Sequence, residues 1–305
     1  MRGGKSNSLI AAELLLTVLL WSGNNVALKY QLRYWPPVFT ASTRFLCAGF
    51  LLLALLHWTD WLGRPTVLSA EQRRKLWTHG ALSLAIYIVV FMWAVAFASP
   101  ATVALFMGTS PVWALVWEER FSRHNAHRYF AAALALAGVL VLFLPSLNLH
   151  SAEWTGHLLA LAASILWTHF SRQCRTFGAV MSGLELTGQT FWRAGVLLIP
   201  VALAEVAIRR VSWNGLTMIL HVYSILFSGL IAFALWHNAL RVWPTSRAFL
   251  FGNLVPVATM ALAHIFLGDP VTTNLWIALG LILAAVFVGQ ADWRRIISSR
   301  WSPGE

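Results

Sequence analysis

Two prolines, Pro111 and Pro256, occupy equivalent places inside long apolar stretches of the chain. A proline withdraws one backbone donor and frees the carbonyl about four residues earlier, here at Met107 and Gly252. In hydrocarbon those carbonyls need a partner or a water-lined cavity. Paired helix breaks in corresponding positions point to a substrate site, and a packing kink without ligand contact is the alternative. Asn24 and Asn25 follow Trp21–Ser22–Gly23 in another apolar stretch. Amides are costly in lipid, so both are expected to face the interior, either bridging helices or binding substrate. Asn253, one turn before Pro256, and Thr109, just before Pro111, invite the same two readings.

Aromatic side chains supply a second candidate chemistry. Trp21, Trp93, Trp167, Trp236 and Tyr87 lie within apolar stretches. A cavity lined by them suits a substrate with an apolar or planar part, through stacking and cation–π contact; core packing is the competing reading. Arg44 and Arg193 are arginines inside apolar stretches, an expensive placement that usually turns inward. Glu185, Gln189 and Arg193 recur every four residues and form one polar stripe on a helix. Arg44 and this stripe read as structural ion pairing and snorkelling, or as a gate or anchor for an anionic group. Histidine can shuttle protons near neutral pH, which makes His169 and His237 candidate proton carriers, with satisfied packing residues as the alternative.

The elements that must position these residues are membrane-spanning helices. The chain has 305 residues, 58% hydrophobic and 11% charged. Its mean hydropathy is +0.67. A soluble domain carries roughly twice that charged fraction. Apolar runs of about 20 residues match a hydrocarbon core of roughly 30 Å. Spans are expected at 9–29, 37–57, 77–97, 100–118, 128–145, 155–173, 184–206, 214–240, 244–267 and 272–291. With the N-terminus inside, sixteen Lys and Arg fall in inside segments and four in outside segments, which puts both termini in the cytoplasm. The net charge of +11 is thereby explained by topology and anionic lipid, without nucleic acid. Cys47 and Cys174 read as packing residues.

The chain repeats itself. A shift of 146 carries Trp21 onto Trp167, Lys29 onto Arg175, Phe45 onto Phe191 and Ala48–Gly49 onto Ala194–Gly195. A shift of 145 carries Leu105, Phe106 and Pro111 onto Leu250, Phe251 and Pro256, and a shift of 143 carries Trp93 onto Trp236. An odd number of spans per half turns the second half upside down, the arrangement that alternates access in carriers.

Carboxylates are sparse and sit toward span ends, so proton coupling is not indicated. No Gly-x-Ser-x-Gly, no His-Glu-x-x-His and no carboxylate cluster occurs, so an enzyme embedded in the membrane is a remote alternative. No metal or cofactor is expected.

The motifs also carry a family resemblance. Leu20-Trp-Ser-Gly-Asn-Asn-Val-Ala-Leu-Lys29, Thr43-Arg44-Phe45, Ala239-Leu240, Asn253-Leu-Val-Pro-Val257 and Phe266-Leu-Gly-Asp-Pro270, followed by Gly280 and Gly289, resemble in order and spacing the EamA branch of the drug/metabolite transporter superfamily. Glu118-Glu119-Arg120 departs from the Gly-Glu turn usual in that family. The four-helix multidrug relatives carry a membrane carboxylate where this chain has Trp21, so their proton-antiport chemistry does not transfer. The resemblance implies an all-α integral membrane protein of ten transmembrane helices, arranged as two inverted five-helix repeats over 1–146 and 147–305. It implies a central cavity and small-molecule substrates. The expected function is carriage of a metabolite, possible candidates being amino acids and related compounds with export favoured, and multidrug efflux is the rival. The expected setting is the lipid bilayer of a bacterial inner membrane. A monomer is expected, with a dimer as the alternative.

Overall fold

The computed structural model describes residues 7–58, 65–118, 126–144, 152–243, 248, 251–252 and 254–290, and among these every regular element is a helix. In chain order they are α1 (Asn7–Gln31), α2 (Pro37–Trp58), α3 (Ala70–Phe97), α4 (Pro100–Met107), α5 (Ser110–Glu118), α6 (Ala126–Phe143), α7 (Ala152–Phe177), α8 (Gly183–Ile208), α9 (Gly215–Val242), α10 (Leu254–Leu267) and α11 (Thr273–Gln290). Helices α1, α2, α3, α8 and α9 are each long and apolar enough to cross a membrane. The stretch 100–118, expected as one span, is two helices joined by a turn at Gly108–Thr109. Leu76–Ala81 within α3 and Ser224–Ala232 within α9 widen into π-helix.

The helix starts follow local chemistry. Ser69 and Gln72 form a capping box at α3. Ser99 caps α4 ahead of Pro100, and Ser182 and Asn214 cap α8 and α9. Helix α2 is capped from afar: Glu205 Oε2 accepts from the backbone N–H groups of Val38 (2.6 Å) and Phe39 (3.1 Å). At the other end of α8, Glu185 accepts from the Thr66 backbone N–H and hydroxyl, both at 2.8 Å. The two carboxylates thus fasten one end of α8 to the first turn of α2 and the other to the segment that follows α2.

The outer surface is apolar. Leu15, Leu16, Leu19, Phe50, Leu203, Ile265, Phe266 and Phe287 are exposed. Such a belt is a liability in water and the normal surface of a protein in lipid. Exposed Trp58, Trp213 and Trp276 stand at helix ends, where an interfacial aromatic girdle belongs.

The interior shows the repeat as packing. Helix α2 lies along α8 and α6 along α11; α1 packs on α9 and α10, while α7 packs on α3 and α4. Exchanging the two halves maps this pattern onto itself. At the α2–α8 crossing, a Cβ on Gly49 would stand 2.4 Å from the Trp192 backbone nitrogen, and one on Gly195 would stand 2.9 Å from that of Leu46. Leu46 and Trp192 are themselves 146 residues apart, so one contact is made twice. Phe45 and Phe191 meet between these sites, rings edge to face with centroids 4.3 Å apart. The α6–α11 approach closes on Gly138, where a Cβ would stand 3.0 Å from Ile282; Gly280 meets nothing within 4 Å.

Candidate functional site

A cavity of about 90 Å³ lies where both halves meet. Helix α1 gives it Trp21, Asn24 and Asn25, and α2 gives Arg44. Helix α3 gives Tyr87, Ile88 and Phe91, and α7 gives Trp167. Ala104, Met107 and Ser110 border it at the α4–α5 break, and Gly252 and Val255 at the start of α10. Ser228, Phe233 and Trp236 come from α9.

The aromatic wall is continuous. Trp21 lies 5.6 Å from Trp167, 5.1 Å from Phe233 and 5.2 Å from Trp236, centroid to centroid. Tyr87 extends the wall at 5.2 Å from Trp167, and Phe91 follows Tyr87 at 5.6 Å. Offset and edge-to-face geometries prevail, as ring quadrupoles prefer.

The polar part is held in place by hydroxyls. Asn24 Oδ1 accepts from Ser224 at 2.5 Å, and Asn25 Nδ2 donates to Thr259 at 3.2 Å. Both amides therefore bridge helices and also border the cavity. At the α4–α5 break the Met107 carbonyl accepts from the Ser110 hydroxyl (2.7 Å), and the Phe106 carbonyl accepts from that of Thr109 (2.7 Å). The residue before each proline is held from the opposite half. Thr168 of α7 donates to the Ser110 carbonyl at 3.2 Å, and Ser22 of α1 donates to the Val255 carbonyl at 3.3 Å. Ser22 and Thr168 are 146 residues apart, Ser110 and Val255 145 apart, so this bond also occurs twice.

The other candidates lie elsewhere. Thr109 is buried one position behind the wall, where it joins Ser164 and accepts from Trp113 Nε1. Pro256 is buried, its Cγ 3.3 Å from where a Cβ on Gly108 would stand. Pro111 is the second residue of α5. Asn253 lies outside the described residues. His237 is buried behind Phe233 and hydrogen-bonded to Thr187 at 2.6 Å. His169 is exposed beside Trp117. Glu185 holds Thr66, as described. Gln189 accepts from Arg193 Nη1, and the guanidinium lies 4.4 Å over Trp192 and 5.5 Å over Trp77, away from the cavity. Arg44, the other arginine, borders the cavity.

Trp93 lines a second cleft, of about 560 Å³, with Lys29, Arg33, Phe97, Glu205 and Arg209. Lys29 donates to the carbonyls of Val95 (2.9 Å), Ala96 (3.2 Å) and Ala98 (2.7 Å), closing the C-terminus of α3 with a cation.

Phe91, Phe233, Ile88 and Ser228 border the central cavity without having been singled out by sequence, whereas Met107 and Gly252, whose carbonyls the prolines were expected to free, do border it. Phe233 is three residues before Trp236 and Phe91 four after Tyr87, so helical spacing from a recognised aromatic was the available signal. Ser228 had none, because it sits inside the π-helical stretch of α9.

Comparison with known proteins agrees with this architecture. The sequence model of the EamA-like transporter family matches residues 9–144 and again 154–288. The chain belongs to the EamA-like transporter family and is a multi-pass membrane transporter of two-repeat architecture. A Salmonella typhimurium protein named "Probable amino-acid metabolite efflux pump" is 25% identical over 298 residues, 92% of this chain and 94% of its own. An Archaeoglobus fulgidus protein named "Uncharacterized transporter" is 25% identical over 294 residues, 93% of this chain and 98% of its own. An uncharacterized inner membrane transporter of Escherichia coli K12 is 27% identical over 279 residues, 88% of this chain and 86% of its own. A solved crystal structure shares the fold over 98% of this chain and 100% of its own, with a TM-score of 0.66 at 20% identity.

Proposed function

We propose that the chain is a ten-span carrier, two inverted five-helix repeats over 1–146 and 147–305, that moves a small metabolite across a bacterial inner membrane by alternating access. Both termini are cytoplasmic in this reading, which the Lys and Arg distribution supports. The observation that carries it is the doubled hydrogen bond, Thr168 to Ser110 and Ser22 to Val255, beside a cavity walled by both halves. Each half holds the residue before the other half's proline, which supports a reading in which the halves trade conformations around one central site.

The substrate in this reading has an apolar or planar part that lies among Trp21, Tyr87, Trp167 and Trp236, with Asn24 and Asn25 at its polar end. Amino acids and related compounds fit that description, and the names of the Salmonella typhimurium and Escherichia coli relatives support amino-acid metabolites and export. Multidrug efflux is the second reading, favoured by the predominance of aromatic side chains in the wall. The test is counterflow in proteoliposomes over amino acids, nucleosides, amines and hydrophobic cationic dyes, with and without a pH gradient. Saturable flux of one class of metabolite supports the carrier. Flux of the dyes alone supports the rival, and a pH-independent rate removes obligatory proton coupling.

A further inference from the structure

Arg44 is 4% exposed and borders the central cavity, and among the described residues no carboxylate lines that cavity with it. Its Nε and Nη1 have no hydrogen-bond partner. Its guanidinium lies 4.7 Å over the Phe45 ring, and its Cγ is 3.8 Å from where a Cβ on Gly229 would stand, next to Ser228. Buried charges in proteins are normally paired, because removing a cation from water is expensive. One phenyl face returns a fraction of that cost. The described carboxylates nearest the bundle interior are engaged elsewhere: Glu13 accepts from Asn238, Glu185 from Thr66, and Glu205 from the α2 backbone. None of them borders the cavity. Two neutral donors on the same wall, Trp21 Nε1 and Ser228 Oγ, are also without partners. The repeat equivalent of Arg44 is Thr190, whose hydroxyl bonds back to Leu186 of its own helix. The guanidinium is therefore a one-sided feature that the symmetric scaffold does not require.

We infer that Arg44 is the anchor for a carboxylate, with Trp21 Nε1 and Ser228 Oγ as supplementary donors, and that the cavity takes monocarboxylates bearing an apolar or aromatic group. A guanidinium presents two parallel N–H groups that match the two oxygens of a carboxylate, and in a dry cavity that pairing is strong and directional. The aromatic wall takes the remainder of the molecule. With no acidic side chain on the wall among the described residues, a free amine that lacks a carboxylate is repelled by Arg44 without compensation. The inference rests on the carrier reading above and narrows its substrate class.

The test compares ligands that share one ring. Counterflow by the full-length chain in proteoliposomes is measured with L-phenylalanine, N-acetylphenylalanine and 3-phenylpropionate, and with phenylalanine amide and phenethylamine. Binding of the same set to the detergent-solubilised chain is read from tryptophan fluorescence, since Trp21, Trp167 and Trp236 surround the site. At least one carboxylate is expected to bind and move, with the amide and amine weaker by tenfold or more. Arg44→Gln is expected to remove that preference, and Arg44→Lys to restore part of it, mainly through KM. Equal handling of amine, amide and acid by the unaltered chain overturns the anchor and leaves the carrier. Carboxylate binding lost in Arg44→Gln but without flux in the unaltered chain supports the anchor and overturns the carrier. The ligand comparison needs no variant, so poor folding of either substitution does not decide the outcome. Absence of any binding overturns the anchor.

Discussion

Trp21 and Trp167 stand 146 residues apart in sequence and meet edge to face, ring centroids 5.6 Å apart, in the wall of the central cavity. Equivalent residues of two repeats touch each other only close to the axis that relates them. The wall therefore lies close to that axis, as the Phe45–Phe191 contact does. Trp167→Ala opens one side of that wall. An aromatic contact contributes about 0.5–1.5 kcal/mol beyond its area burial, and 1.4 kcal/mol is about tenfold in affinity. Half-saturation in counterflow is expected to rise about tenfold in Trp167→Ala and no more than about threefold in Trp167→Phe.

The doubled hydroxyl-to-carbonyl bond gives a second expectation. Thr168→Val keeps the shape of the side chain and removes its bond to Ser110; Ser22→Ala does the same for Val255. Hydrogen bonds between membrane helices average about 0.6 kcal/mol in double-mutant cycles, so each variant is expected to fold with slightly reduced thermal stability. Flux is expected to fall further than stability does, because Ser110 and Val255 both border the cavity. The measurement is counterflow rate per folded protein, set beside melting in detergent. Equal, small losses in both would mean that the bonds are purely structural.

Much of this was legible in the sequence because tryptophan, proline and glycine are rare enough for a fixed offset to stand out from leucine and alanine. The offset of 146 reappears as contacts at Phe45–Phe191, Trp21–Trp167 and the two glycine crossings, and the offset of 145 in the doubled bond to Ser110 and Val255. The two arginines separate for a local reason. Arg193 finds Gln189 four residues earlier on its own helix, whereas the residue four before Arg44 is Thr40, whose hydroxyl is taken by Pro36. His169 is two positions after Trp167, about 200° around the helix, and faces outward when Trp167 faces in. The π-helical stretch of α9 left no mark that composition or spacing would reveal, and it carries Ser228 into the wall.

The α2–α8 crossing predicts where the fold is least tolerant. A methyl group at Gly49 meets the Trp192 backbone at 2.4 Å, and one at Gly195 meets Leu46 at 2.7 Å. Neither helix can yield locally, since the first obstacle at Gly49 is backbone. Overpacking costs about 1–3 kcal/mol, so Gly49→Ala is expected to melt well below the unaltered chain. Gly195→Ala is expected to lose less, because its backbone obstacle, the Leu46 nitrogen, lies at 2.9 Å against 2.4 Å at Gly49, and the nearer Leu46 Cγ belongs to a side chain that can change rotamer. Gly215→Ala, with nothing within 4 Å of its Cβ, serves as the control and is expected to melt unchanged. Size-exclusion profiles after a heating series would rank the three.

The second cleft is bordered by a latch. Arg209, just beyond α8, donates through Nη2 to the carbonyls of Leu32 (2.9 Å) and Arg33 (2.6 Å), which follow α1. Trp35 Nε1 donates to Ser212 at 3.0 Å and the Ser212 N–H donates to Tyr34 at 3.1 Å, so the two chain segments are tied at three points. Hydrogen bonds from a charged group are stronger than neutral ones, although partial exposure to water reduces the gain. Removing them with Arg209→Ala leaves the two neutral bonds and should let this end of the bundle part more readily. A cysteine introduced by Ala96→Cys, in the cleft floor beside Trp93, reports the change through its rate of reaction with a water-soluble maleimide. Cys47→Ser and Cys174→Ser remove the native thiols beforehand. Labelling is expected to accelerate several-fold in Arg209→Ala, and more slowly rising counterflow would accompany it if closure at this end limits turnover. An unchanged labelling rate would show that Arg209 fastens the loop without governing access, and the closing element would then have to be sought in the Lys29 clamp on α3.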